Sequence, residues 1–347
     1  MRKKILALLL AGLMVLSMAA CGGNDNADSA DAGNDTPASS DDASTPEEGG
    51  TEATGSYTIG ICQLMEHEAL DAATKGFQDA LAEALGDGVS FKYQNAQGDA
   101  NTCSTIINGF VSEGVDLILA NATPALQAAA AGTSDIPILG TSVTEYGVAL
   151  SIDDFDGTVG GNISGTSDRA PLDEQAAMIK EWMPDVQKIG LLYCSAEANS
   201  QYQVDVVKAA LEGLGCTATL YPFADSNDLA AVCTTASNEN EVLYVPTDNT
   251  AANNTGIIDN ICRPAKVPVF AGEEGIARGC GVATLSISYY DLGRTTGEMA
   301  AQILSGEADI ATMPVAYTTV TKKYNADICE ELGITVPEGY EAIEAAA

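Results

Sequence analysis

The sequence predicts an α/β fold of two doubly wound parallel-sheet lobes joined by a hinge. Three observations carry that expectation. Past residue 56, short β-branched runs alternate with stretches whose apolar residues recur at helical spacing, the pattern of strands crossing over through helices. The same alternation restarts near residue 171. A chain of 347 residues with 46% hydrophobic side chains has enough length and apolar content for about two such cores.

Tyr57-Thr58-Ile59-Gly60-Ile61-Cys62 is a strand by its β-branched content, and Leu70, Ala73, Phe77, Ala80, Leu81 and Leu85 mark one helix face that Gly86 closes. Val89 to Tyr93 is a strand, Thr102 to Glu113 a helix and Asp116 to Ala120 a buried strand. A helix from Pro124 to Ala131 and a strand from Pro137 to Gly140 complete the first run. Pro171 opens the next helix, where its missing N–H costs nothing, and Pro184 stops it just past Met183. Strands follow at Ile189 to Cys194, Thr217 to Tyr221, Val242 to Val245 and Val267 to Phe270, with helices between. A strand from Val282 to Ile287, a helix from Tyr290 to Leu304 and a strand from Val315 to Val320 come last and cross between the lobes. The expected division gives one lobe residues 57–165 plus about 276–308, and the other 166–275 plus about 309–347.

The first residues carry an address. Arg2, Lys3 and Lys4 precede an apolar run from Ile5 to Met18, the pattern of a secretory signal over residues 1–20. Met18-Ala19-Ala20-Cys21 resembles a bacterial lipobox, which implies cleavage before Cys21 and lipid on its sulfur. From Asn24 to Ser56 there is no basic residue and nine are Asp or Glu, so residues 21–56 are expected to be a solvated acidic tether. Such a chain reaches about 30 Å, holding a folded body near a membrane. The expected location is extracytoplasmic, lipid-anchored to the bacterial cell membrane.

Composition narrows the chemistry. With 49 acidic against 15 basic side chains the formal charge is −34, which leaves no basic surplus for a nucleic-acid backbone. His67 is the only histidine, so a zinc site with two imidazoles cannot be built within one chain. The sequence has no Walker A pattern and no G-x-S-x-G elbow, and none of its nine cysteines forms a C-x-x-C pair. No enzyme, metal or cofactor is expected, and binding without chemistry leads. Open α/β sheets bind ligands outside the carboxyl ends of their strands. The residues standing there are Gln63, Glu66 and His67; Asn121 and Thr123; Thr141 and Ser142; Ser195, Glu197, Asn199 and Ser200; Thr247, Asp248, Asn249 and Thr250; and Glu273 and Glu274.

Several of these segments resemble the tryptophan/tyrosine branch of ABC-transporter substrate-binding lipoproteins. They include Gly60-Ile61-Cys62-Gln63 with His67-Glu68-Ala69-Leu70-Asp71, Tyr93-Gln94-Asn95-Ala96-Gln97-Gly98-Asp99 and Ala122-Thr123-Pro124-Ala125. Tyr193 with Glu197-Ala198-Asn199-Ser200, Val245-Pro246-Thr247-Asp248-Asn249-Thr250, Asn162 to Asp168 and Tyr289 to Arg294 continue the match in order from Tyr57 onward. The resemblance implies a type I periplasmic-binding fold with three hinge crossings that closes around a small molecule. The implied ligand is an aromatic or other hydrophobic amino acid, delivered to an ABC permease with its ATPase by a monomeric receptor. A sensory lipoprotein of the same fold, acting with a receptor kinase, is the alternative. Thr144-Glu145-Tyr146 departs from the Asp-Pro step that the family carries after its fourth strand.

A free amino acid needs a carboxylate site and an ammonium site. Thr123, at a helix start, and the hydroxyls of Thr141 and Ser142 suit the carboxylate, while Thr123 equally suits a cap of its own helix. Glu197 and Asp248 are candidates for the ammonium, and each also suits helix capping. Gln63, Thr166, Ser167, Asp168, Asn199, Ser200 and Asn249 complete a polar ring, and His67 either touches the ligand or caps the helix after it. Tyr146, Tyr202 and Tyr289 are candidates to stack on the ligand side chain. Cys262 and Cys280 are expected to lie near one lobe crossing, with no cysteine pairing set by the spacing.

Overall fold

The computed structural model describes residues 56–344, so the signal segment, Cys21 and nearly all of the tether lie outside the described residues. The first run folds as β1 (Tyr57–Gln63), α1 (Glu68–Leu85), β2 (Val89–Asn95), α2 (Ala100–Glu113), β3 (Leu117–Asn121), α3 (Thr123–Gly132), β4 (Ile138–Val143), α4 (Tyr146–Leu150) and β5 (Ile163–Ser167). The second run is α5 (Leu172–Trp182), β6 (Lys188–Cys194), α6 (Ala198–Gly213), β7 (Thr217–Phe223), α7 (Ser226–Glu239), β8 (Val242–Val245), α8 (Asn249–Ala252), α9 (Thr255–Ala265), β9 (Val269–Ala271), α10 (Glu274–Cys280) and β10 (Ala283–Ile287). The chain then passes through α11 (Tyr289–Leu304), β11 (Ala316–Tyr317), β12 (Val320–Tyr324), α12 (Ala326–Leu332) and β13 (Glu341–Ala342).

Two sheets result, in the orders β11-β5-β4-β3-β1-β2 and β13-β12-β10-β9-β8-β6-β7. Every pairing is parallel except β10 with β12. Strand periodicity divides each core in two. Ile59, Ile61, Leu117 and Leu119 face one layer of the first sheet, while Cys62, Ile118 and Ala120 face the other. Phe77, Phe110, Phe223 and Phe270 are fully buried among these layers, each worth roughly 1.5–3 kcal/mol in apolar surface removed from water.

The expected lobe boundaries need correction. Helix α10 and strand β10 stand in the second lobe, because β10 pairs with β9 and β12. Return to the first lobe comes at Ser288, not near residue 276, and Thr166 and Ser167 still belong to the first sheet. The single strand expected from Val315 to Val320 is two: β11 joins β5 of the first sheet and β12 joins the second. The chain thus crosses at 168–171, at 288 and at 318–319. Strand–helix alternation carries no information about which sheet a strand joins, since that depends on the neighbour it pairs with.

Two close approaches explain glycines. Gly165 has φ 145°, and a Cβ there would collide with the Gly140 carbonyl and the Tyr146 hydroxyl. Gly76 of α1 and Gly293 of α11 lie against the Tyr290 and Ala73 carbonyls, so the helix returning from the second lobe beds directly on α1. That contact fixes α1, whose first turn faces the other lobe.

Candidate functional site

Segments at the carboxyl ends of both sheets meet in one cleft. It is lined by His67, Ala69 and Leu70 after β1, Ser142 at the end of β4 and Asp168 just past β5. The second lobe brings Asn199 in the first turn of α6, Thr247, Asp248, Asn249 and Ala252 after β8, and Glu273 after β9, while Tyr289 comes from the crossing into α11. A larger groove of about 890 Å³ opens beside the crossings and shares Ala69, Glu273 and Tyr289 with the cleft. The cleft gathers buried polar side chains, Ser142, Asp168, Asn199, Asp248 and Glu273 among them.

Three of its buried polar atoms have no hydrogen-bond partner among the described residues: Ser142 Oγ, Asp168 Oδ1 and Asn199 Oδ1. Leaving such atoms unpaired costs about 1–3 kcal/mol each, a penalty that a ligand can relieve. The Tyr289 hydroxyl donates to Asp168 Oδ2 at 3.0 Å, which orients the free oxygen. Asn199 Nδ2 donates to the Thr247 carbonyl at 3.1 Å, while its own carbonyl oxygen has no partner. Ser142 has φ 54°, a left-handed conformation costly for a residue with a Cβ. Helix α1 opens into the same cleft at Ala69 and Leu70 with no side-chain cap, so its first-turn N–H groups and dipole face the space.

Burial dominates the electrostatics. It pushes Asp168 up to about 6 and Glu273 up to about 7, the latter against the pull of the Gly275 and Ile276 N–H groups. Burial, then the neighbouring Glu197, pushes Asp248 up to about 8. Burial also lowers His67, favouring the neutral imidazole. Among the described residues, no Lys or Arg lines the cleft. Its field suits a cationic group, with anionic charge accommodated by a helix N-terminus.

Several residues named from the sequence do other work. Both oxygens of Glu197 accept from the α8 segment: Oε2 from Asn249 N at 3.0 Å and Nδ2 at 2.7 Å, Oε1 from Thr250 N at 2.9 Å and Oγ1 at 2.8 Å. Asp248 Oδ1 caps α8 through Ala251 N at 2.8 Å, and Oδ2 accepts from Cys194 N at 2.6 Å. The capping reading fits both carboxylates. Thr141 and Thr166 turn to Thr296 of α11 in a buried hydroxyl cluster, and Ser167 donates to the Thr144 carbonyl at 2.9 Å. Gln63 closes a network with Asp71, Thr74 and Asn121, and Ser200 is buried beside Asn199. Thr123 is the first residue of α3, whose N-cap is Ala122 at φ 89°, so the threonine is not the cap. Tyr146 is buried with its hydroxyl on the Thr166 carbonyl, and Tyr202 packs in the second core, leaving Tyr289 as the tyrosine in the cleft. Glu273 and Thr247 follow strands, so the same positional rule marked them. Ala69, Leu70 and Ala252 carried no polar signal. Cys262 faces Cys233, with 3.6 Å between their sulfurs.

A family model described as ABC transporter substrate binding protein matches residues 58–345. The chain belongs to that family. This substrate-binding protein is 34% identical over 320 residues, 90% of its own length, to 87% of a tyrosine-binding protein of Clostridioides difficile strain R20291. Its fold is similar to that of an ABC domain from Streptococcus pneumonia in complex with L-Trp, at TM-score 0.79 and 34% identity, covering 83% of this chain and 100% of that one. Similarity to a ligand-free, open substrate binding protein with adhesive properties from Clostridium difficile has TM-score 0.65 and 36% identity, covering 84% and 100%. The type I two-lobed architecture expected from the sequence is the one observed.

Proposed function

We propose that this substrate-binding protein is the extracytoplasmic, lipid-anchored receptor of an ABC importer, and that it captures an amino acid with an aromatic side chain. The observation that carries the reading is the convergence of Asp168 Oδ1, Asn199 Oδ1 and Ser142 Oγ, all buried and unpartnered, beside the uncapped start of α1. Two acceptors suit an ammonium, and a hydroxyl with helix N–H groups suits a carboxylate, which is the zwitterion of a free amino acid. Tyr289, Ala69, Leu70 and Ala252 then border the side chain. Similarity to a tyrosine-binding protein and to a domain in complex with L-Trp supports the class. Closure of the lobes around the ligand makes the shape that the permease and its ATPase recognise, and a monomer suffices for it.

A thermal-shift panel of all amino acids, nucleosides and simple sugars on the body from Tyr57 onward tests the reading. Ligand at 100 times its Kd adds about 2.7 kcal/mol of stability. Shifts with tryptophan, tyrosine or phenylalanine are expected, and shifts confined to sugars or nucleosides would overturn the ligand class. Cys21→Ser is expected to release the protein from membranes, and unchanged retention would refute the anchor.

A further inference from the structure

Cross-cleft contacts come from two consecutive residues at the start of α1. His67 Nε2 lies 3.1 Å from Asn249 Oδ1 of the second lobe, and Glu68 pairs with Arg278 of α10. The two contacts differ in setting. Glu68 and Arg278 sit at the rim with side chains 55% and 22% exposed, where an ion pair contributes little. Asn249 is buried, His67 is half-buried, and both line the cleft with Asn199 and Asp168, so their hydrogen bond is far better shielded from water than the rim pair.

Asn249 is not free to choose its orientation. Its backbone N and its Nδ2 both donate to Glu197 Oε2, at 3.0 and 2.7 Å, which leaves the amide oxygen directed at His67. His67 is equally uncommitted to its own helix. It occupies the N-cap position in extended backbone, φ −160° and ψ 163°, and makes no side-chain cap bond. An N-cap residue that leaves its helix uncapped and reaches a partner 182 positions away serves the contact between lobes.

We propose that His67 and Asn249 form the latch that holds the lobes shut over the ligand, with Glu197 as the positioning residue that aims Asn249 at His67. The proposal rests on the amino-acid-binding reading and adds to it the group that sets ligand residence. Closing brings imidazole and amide together, and opening must break that bond and rehydrate both. The latch therefore acts on the dissociation rate, while association into the open cleft proceeds without it.

Stopped-flow binding to whichever of L-tryptophan and L-tyrosine the wild type takes up tests it, on His67→Phe, Asn249→Ala and the double variant. Each single change is expected to raise the dissociation rate about tenfold with the association rate within threefold, and the double variant to be no faster than either single. Glu197→Gln should raise that rate in the wild-type background and leave it unchanged beside Asn249→Ala. Dissociation from His67→Phe within twofold of wild type, or additive single effects, would overturn the latch. His67→Phe leaves the hydrogen bonds of Glu197 to Asn249 and Thr250 in place, so it decides the matter if the Glu197 variant fails to fold. If no amino acid binds the wild type, the binding reading falls by itself, and small-angle scattering of the ligand-free protein then reads the latch. His67→Phe must enlarge the radius of gyration, and an unchanged radius would overturn it.

Discussion

Replacing Asp168 by Asn is expected to move stability and affinity in opposite directions. Asp168 is buried, its Oδ2 is held by Tyr289 and its Oδ1 is unpartnered. Burial holds its pKa near 6, against about 3.9 for a solvated aspartate, which at 1.36 kcal/mol per tenfold amounts to about 3 kcal/mol at neutral pH. The isosteric amide removes that burden, so the ligand-free variant should melt several degrees higher, with about 3 kcal/mol as the ceiling of the gain. Binding should suffer instead. A hydrogen bond to a charged group contributes about 1.5–3 kcal/mol, so loss of the carboxylate under the ligand's ammonium should weaken affinity by about 10- to 150-fold. Isothermal titration with L-tryptophan and L-tyrosine at pH 7.5 and calorimetric melting of the ligand-free protein read the two effects. Affinity within twofold of wild type would refute the assignment of Asp168 to the ammonium. A lowered melting temperature would refute the account of its burial.

Three further outcomes are expected. Glu197→Ala should cost about 2–4 kcal/mol in denaturant unfolding, because the N–H groups of Asn249 and Thr250 lose their buried acceptor; a loss under 1 kcal/mol would deny its structural role. Ligand-free stability should fall as pH rises from 5 to 8, because Asp168, Glu273 and Asp248 titrate near 6, 7 and 8 in the folded state and far lower when unfolded, so the folded state binds more protons across that window. Stability that rises over this range would contradict the burial of these carboxyls. Ser142→Gly should relieve the left-handed backbone by about 0.5–1 kcal/mol while weakening amino-acid binding several-fold, and unchanged binding would remove Ser142 from the site.

The sequence by itself determined most of the strands and helices and the side of each sheet on which the cleft lies. Local spacing of apolar residues encodes an element, and ligands of parallel sheets collect past the strand ends. That rule reached His67, Ser142, Asn199, Asp248 and Asn249, and the family resemblance added Asp168; all six line the cleft. It also reached Gln63 and Thr141, as the resemblance reached Thr166 and Ser167, and all four turn into the protein. A hydroxyl or carboxylate after a strand has the same appearance in the chain whether it meets a ligand, a backbone N–H or a threonine of α11.

Only the tertiary structure decided among those fates. Glu197 and Asp248 became fixtures because α8 returned its N–H groups to them, whereas Asp168 kept a free oxygen because Tyr289, 121 residues away, took the other one. The lobe of β10 and the split into β11 and β12 were settled likewise by pairing with distant strands. Satisfaction of a buried polar group depends on which remote donors arrive within about 3 Å, and residue spacing along the chain does not carry that information.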